Sequence, residues 1–269
     1  MSHVLSVANQ KGGVGKTTTA INLGTALAAV GKRVLVVDLD PQGNASTGLI
    51  NTKLNCQRKS KNAYDLITGN IAFLECAVET AISGLDLIIS SANLSGVDSE
   101  FFSDEKKCYR LKIALNKEID SRRLYDYVLV DCPPSLNLLT INAMVASDSV
   151  IVPLQCEFFA LEGLSQLIAT VNRVRKKLNP RLRLNGVVLT MYDKRNNLSE
   201  QVAADVRNYF GDFVFNTIIP RNVKVSEAPS HALPVLIYDE KCSGSRAYIS
   251  LANEFLQRDE MVRCKVLGG

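Results

Sequence analysis

Short, uninterrupted apolar runs recur along the chain. They are separated by longer stretches in which apolar residues return every three or four positions. Val4-Leu5-Ser6-Val7-Ala8, Val34-Leu35-Val36-Val37, Leu85-Asp86-Leu87-Ile88-Ile89, Tyr127-Val128-Leu129-Val130, Val150-Ile151-Val152 and Val187-Val188-Leu189 read as strands. They lack the polar alternation of a half-exposed sheet, which points to strands covered on both faces, as in a parallel sheet. Residues 213–219 predict one more strand, closed by Pro220. The periodic stretches predict helices over 17–30, 136–146, 161–177, 199–210 and 245–258, with a more charged surface helix over 101–119. Gly31 is a normal stop for the first of these. Residues 51–62 are polar and predict an exposed loop.

Strand–helix alternation from end to end predicts an α/β fold: a doubly wound, mainly parallel twisted sheet with helices on both faces. No repeat, low-complexity linker or composition break divides the sequence, so 1–269 reads as one domain. A chain of this length with 46% hydrophobic and 22% charged residues is an ordinary globular composition, which excludes fibrous and disordered classes. No apolar run approaches the ~18 residues of a membrane span. Met1-Ser2-His3-Val4 does not open a secretory signal, so a cytoplasmic protein is expected. Seven scattered cysteines with no C-x-x-C pair predict reduced thiols. Two histidines at opposite ends of the chain make zinc catalysis a poor fit.

The first strand runs into Asn9-Gln10-Lys11-Gly12-Gly13-Val14-Gly15-Lys16-Thr17-Thr18. Gly15-Lys16-Thr17 fits the end of a phosphate-binding loop, although Gln10 stands where the first glycine of the usual pattern would be. The physical requirements survive. Gly12, Gly13, Val14 and Gly15 allow backbone amides to converge on phosphate oxygens, and the helix opening near Thr17 and Thr18 adds its free amides. Lys16 can reach the β- and γ-phosphates, and the Thr17 hydroxyl can ligate Mg²⁺. Two further strands end in acids: Asp38 and Asp40 in one, Asp131 in another. Asp131 reads as a carboxylate that holds Mg²⁺ through water.

Lys11-Gly12-Gly13-Val14-Gly15-Lys16-Thr17-Thr18, Asp38-Leu39-Asp40-Pro41-Gln42-Gly43-Asn44 and Asp131-Cys132-Pro133-Pro134-Ser135 together resemble the ParA/Soj partition ATPases of the deviant-Walker group. The likeness continues through Thr190–Arg195, Ile219–Val223 and Ser226–His231, and so spans almost the whole chain. The phosphate loop alone would indicate only the wider group, with MinD, ArsA-type pumps and the nitrogenase iron protein. The resemblance implies a slow ATPase using ATP and Mg²⁺, closing as a homodimer across two nucleotides. It implies that Lys11 reaches the partner's phosphates, that Asp40 positions the attacking water, and that Asp38 serves the Mg²⁺ region. It also implies that Pro220 and Asn222 contact adenine.

Charge supports a polyanionic partner. Residues 1–172 carry 15 Lys+Arg against 17 Asp+Glu, a balance of −2, whereas residues 173–269 carry 16 against 10, a balance of +6. By the resemblance, the clamped dimer binds double-stranded DNA without sequence preference through Lys194, Arg195, Arg221, Lys224, Lys241 and Arg246, with Arg195 and Lys224 matching best. A ParB-like partner would supply sequence recognition and stimulate hydrolysis, and the protein would be nucleoid-associated. With the phosphate loop starting within ten residues of Met1, no helix-turn-helix precedes it and operator binding is not expected. The alternatives are a MinD-like membrane-associated ATPase, an iron–sulfur dimer and a scaffold without activity. The first needs a basic amphipathic C-terminal helix, yet Gln257–Gly269 mixes in acids and ends in Gly-Gly, so no membrane partner is expected.

Overall fold

The computed structural model describes residues 2–50, 61–69, 71–115 and 124–267, with side chains described as far as Met261. Its strands are β1 (His3–Val7), β2 (Val34–Asp38), β3 (Ala77–Glu79), β4 (Leu85–Ile88), β5 (Tyr127–Asp131), β6 (Ser149–Gln155) and β7 (Arg183–Thr190). They form one sheet in the order β3-β4-β2-β5-β1-β6-β7, parallel throughout except for β3, which pairs antiparallel with β4 at the edge.

Alternate residues of each apolar run serve opposite faces, which is why polar positions are so few in them, Ser6 in β1 and Asp86 in β4 being the exceptions. Val34 and Val36 of β2 and Leu129 of β5 pack beneath α1 (Lys16–Ala29), where Ala20, Leu23 and Leu27 lie, together with Tyr248, Leu251 and Phe255 of the C-terminal helix. Leu35, Val37, Val128 and Val130 face the other layer, made largely by Leu139 and Ala143 of residues 138–146, Leu164 and Val171 of residues 160–177, and Val202 and Val206 of residues 197–210. We label the remaining helices α2 (Asn44–Leu49), α3 (Ala63–Thr68), α4 (Leu138–Ala146), α5 (Ala160–Lys177), α6 (Asn197–Phe210), α7 (Val223–Glu227) and α8 (Ser243–Leu267), leaving single turns unlabelled. α8 is tied to β1 by His3, whose Nδ1 meets Asp259 at 2.8 Å and whose Nε2 meets Ser149 Oγ at 2.7 Å.

Two expected elements take another form. Residues 101–119 are not one helix: turns lead to a 3-10 turn at Lys107–Tyr109 and then a helical stretch over 110–115, while 116–119 lie outside the described residues. The Asp104 carboxylate accepts from the Lys106 amide at 2.9 Å and from Arg110 Nε at 2.7 Å, which fixes a bend where a helix would have continued. Phe213 closes a 3-10 turn, Gly211–Phe213, and residues 214–219 form no strand: they meet β7 through isolated bridges, Val187 to Val214 and Tyr192 to Pro220, and through the amides of Phe215 and Ile219, which donate to the Val187 and Leu189 carbonyls at 2.9 and 2.8 Å. Between these, the amides of Asn216 and Thr217 donate to the Glu254 carboxylate, each at 2.8 Å, and not to a strand. Of the expected loop over 51–62, residues 51–60 lie outside the described residues, and Asn62 caps α3.

Candidate active site

The glycine-rich loop and the acids Asp38, Asp40 and Asp131 lie at the carboxyl ends of β1, β2 and β5, where open parallel sheets place ligands. β1 leads through Asn9 into the glycine-rich loop and α1. Gly13 (φ 75°) and Gly15 (φ 85°) are both left-handed, a conformation that a side chain would oppose. Thr190 at the end of β7 holds the loop from behind, its hydroxyl donating to the Val14 carbonyl at 2.8 Å. No side chain caps the N-terminus of α1. Its first-turn amides therefore have neither an intrahelical acceptor nor a side-chain one, and its positive dipole end is open to an anion.

Lys16 is buried, and its Nζ donates to the Lys11 carbonyl at 2.9 Å, folding the side chain back over the loop. Burial lowers the pKa of this ammonium, opposed by the charges of Asp131 and Asp40. Lys11 itself is exposed and ion-paired with Glu157 at the end of β6.

The acids divide sharply. Asp38 and Asp131 are register partners on adjacent strands, so their carboxyl groups are neighbours. Asp38 is saturated: Oδ2 accepts from the Ser46 amide at 2.8 Å and the Ser46 hydroxyl at 2.7 Å, and Oδ1 from the Asp40 amide at 3.2 Å. Even so, burial lifts it to about 6, against those hydrogen bonds and helped by the Asp40 charge. Asp131 is fully buried, yet neither of its oxygens has a partner in hydrogen-bonding geometry. Burial, then the charge of Asp38, raises it well above the carboxylate range, and Thr17 and Lys16 offset this only in part. Asp40 is buried with Oδ1 accepting from the Gln42 amide at 3.0 Å.

A buried carboxylate without partners, beside a hydroxyl and facing a phosphate-ready loop, has the chemistry of a Mg²⁺ site. Among the described residues no group of three His, Cys, Asp or Glu gathers. That fits Mg²⁺, which is commonly held by one or two protein groups plus substrate phosphates and water. Asp131 and Thr17 therefore fit as the residues that would hold it, whereas the oxygens of Asp38 are already taken up by the loop.

Beside Gly15 and Thr18 opens a cavity of about 420 Å³ whose walls include Met191, Pro220, Asn222 and Tyr248. The two residues expected at adenine thus share one hollow with the phosphate loop. Asn222 caps α7 through the Lys224 amide at 2.8 Å, and its Nδ2 donates to Ser243 at 2.9 Å. A larger cavity of about 570 Å³ lies elsewhere, around Phe73; of the cations lining it, Lys61 is paired with Glu75 and Arg110 with Asp104, while Lys106 also lines it.

The six expected DNA-contact residues are all exposed and occupy three linked segments. The Tyr192 amide donates to the Ile219 carbonyl at 3.1 Å and the Arg221 amide to the Tyr192 carbonyl at 2.9 Å, joining the loop of Lys194 and Arg195 to that of Arg221. Asn222 and Ser243 join the latter to α8, near Lys241 and Arg246. Arg195 pairs with Asp193 at 3.1 Å and Lys224 with Glu227 at 3.0 Å; such exposed pairs are weak and open to exchange. Ser46, Glu157 and Thr190 were not foreseen, since each acts on a residue distant in sequence or through a backbone group.

Three comparisons bear on this site. The model of a family described as AAA domain matches residues 2–184. The chain is 59% identical over 256 residues to the chromosome partitioning protein ParA of Caulobacter vibrioides, covering 95% of this chain and 94% of that one. It is 48% identical to the sporulation initiation inhibitor protein Soj of Bacillus subtilis, covering 94% and 98%. Among solved structures, it is similar to the cobyrinic acid a,c-diamide synthase of Mycobacterium smegmatis crystallised with an ATP analogue and magnesium. That match has a TM-score of 0.83 at 35% identity and covers 96% of this chain and 95% of that one.

Proposed function

The chain belongs to the ParA/Soj family of chromosome-partitioning ATPases, and from that premise we propose how its residues divide the work. It is a DNA-partition ATPase that uses ATP and Mg²⁺. The observation that carries the residue assignment is the open helix end beside the partnerless carboxylate of Asp131.

ATP lies with its base in the hollow of Pro220 and Asn222 and its phosphates on the amides of residues 12–18. Lys16 leaves its hold on the Lys11 carbonyl to meet the β- and γ-oxygens, exchanging a neutral acceptor for a charged one. Thr17, and Asp131 through water, would hold Mg²⁺, which would supply positive charge to the phosphate oxygens. Asp40 orients the water that attacks the γ-phosphorus in line with the departing ADP oxygen. Lys11 exchanges Glu157 for the triphosphate of a second copy and adds positive charge in trans as negative charge moves toward the leaving oxygen. Two copies then clamp two nucleotides.

The clamped dimer aligns the edges bearing Lys194, Arg195, Arg221, Lys224, Lys241 and Arg246 and holds duplex DNA through its phosphates. Hydrolysis, speeded by a ParB-like partner, opens the clamp and ends the grip of this edge on the DNA, and the cycle takes place on the nucleoid. No described helix is long and apolar enough to cross a membrane.

The test is size-exclusion and DNA-shift measurement with ATP for wild type, Asp40→Ala and Lys11→Ala. Wild type should dimerise with ATP, Asp40→Ala should remain a DNA-bound dimer, and Lys11→Ala should bind ATP but stay monomeric. A wild-type chain that stays monomeric with ATP, or Asp40→Ala hydrolysing at the normal rate, would overturn the assignment.

A further inference from the structure

The densest positive charge in the chain lies outside the six residues discussed above. Arg173, Arg175, Lys176, Lys177, Arg181 and Arg183 fall within eleven residues, and no acid occurs between Glu162 and Asp193. All six are exposed. Among the described residues none of them has an acidic partner within 4.0 Å, in contrast to Arg195 and Lys224.

Their mounting is rigid. The inner face of α5 is anchored by Leu164, Leu167, Val171 and Val174, which turns Arg173, Lys176 and Lys177 outward. The turn after α5 is pinned by Asn179, whose side-chain amide donates to the carbonyls of Met144 at 3.1 Å and Ser147 at 2.7 Å. The Leu182 amide returns to the Asn179 carbonyl at 3.0 Å, and β7 then begins at Arg183. A few cations would suffice to complement the carbonyl end of the helix, an effect that fades within its last turn. Arg181 and Arg183 lie beyond that turn, and Arg173 precedes Arg175–Lys177, which occupy it.

This patch is at the amino end of β7, the pole opposite the phosphate loop. The eight residues of β7 put about 23 Å between Arg183 and Thr190 at the usual rise per residue. A dimer closed through its nucleotides leaves this pole free. Along α5, Arg173 to Lys177 spans about 6 Å, a spacing that a row of phosphates can match.

We propose that the α5–β7 pole is a second, nucleotide-independent surface for the phosphate backbone of duplex nucleic acid, separate from the edge that carries Arg195 and Lys224. An anionic bilayer is the poorer occupant, because no large apolar side chain between residues 173 and 183 is exposed to insert beside the charges.

The probe is a labelled 20-base-pair duplex of arbitrary sequence. Its anisotropy is followed with the full chain, with and without ATP, from 50 to 200 mM NaCl. The variant is Arg173→Gln with Lys176→Gln and Arg181→Gln, all solvent-facing, with melting temperature and ATP hydrolysis measured alongside. Without nucleotide, wild type should bind weakly and with steep salt dependence. If each of the three cations meets one phosphate, the variant's log–log salt slope should be shallower by about 2.7, making the loss between 50 and 200 mM about 40-fold smaller. The ATP-dependent increment in binding should survive in this variant and disappear instead in Arg195→Gln with Lys224→Gln. Equal slopes for wild type and the triple variant without nucleotide would overturn the proposal. So would a defect seen only with ATP. Loss of binding to vesicles of 30% phosphatidylglycerol in phosphatidylcholine, with duplex binding unchanged, would assign the pole to a bilayer and overturn it as well.

Discussion

Asp131→Asn tests the nucleotide site through the stability of the protein alone. Asp38 is the scale. With three hydrogen bonds it still moves from 3.8 to about 6, which corresponds to roughly 3 kcal/mol of disfavoured charge. Asp131 is completely buried with neither oxygen in hydrogen-bonding geometry, so burial and the neighbouring Asp38 charge disfavour its ionised form in the same direction. Asparagine keeps the shape and removes the charge, but its buried amide still costs about 1–3 kcal/mol of desolvation. On the Asp38 scale the net expectation is a gain of up to about 2 kcal/mol for the nucleotide-free protein, or at most roughly 4–8 °C in melting temperature for a chain of this size.

The gain must depend on pH. Between the unfolded value of 3.8 and the raised folded value, the folded wild type retains a proton that the unfolded chain has released. Its stability therefore falls as pH rises through that window, and the variant escapes this particular loss. Thermal melts by circular dichroism in EDTA should show the variant ahead at pH 8 and level with wild type near pH 5. Adding ATP and Mg²⁺ should stabilise wild type more than the variant. A variant no more stable than wild type at pH 8, or equally favoured at both pH values, would refute the claim that the fold disfavours ionised Asp131 until a cation offsets its charge.

Lys16→Ala should abolish ATP binding by calorimetry while leaving the melting temperature near that of wild type, since among the described residues the side chain's hydrogen bond goes to the Lys11 carbonyl. Replacing Arg195 and Lys224 together by Ala should weaken ATP-dependent binding by a similar factor on duplexes of unrelated sequence, because phosphate contacts carry no base information. A filter-binding series on duplexes of contrasting composition checks this.

The strands were legible because burial on both faces demands unbroken apolar runs, and β2, β5 and β6 satisfy that demand plainly. β3 was not, because three residues at a half-exposed edge leave no pattern. The phosphate loop and its three acids could be located by spacing alone. What spacing could not say is which acid is saturated. That depends on Ser46, eight residues from Asp38, and on the parallel register that sets Asp38 beside Asp131. The Lys11–Glu157 pair likewise joins residues 146 apart, brought together only by β1 lying next to β6. In residues 213–219 the apolar β-favouring residues before Pro220 pointed to a strand. The diversion of this segment from the sheet was not readable, because the competing acceptor, Glu254, comes from α8.

That diversion bears on how the protein behaves when crowded. β7 ends the sheet, and an exposed strand edge is a template for unwanted pairing between molecules. Here the strip laid along it presents outward groups that are already engaged. Glu254 takes the amides of Asn216 and Thr217, Arg207 takes the carbonyls of Phe215 and Asn216, Arg258 takes that of Val214, and Pro220 has no amide to offer. An incoming strand meets side chains where it would need a ladder. Many copies crowded together therefore sit shoulder to shoulder without zipping into fibres.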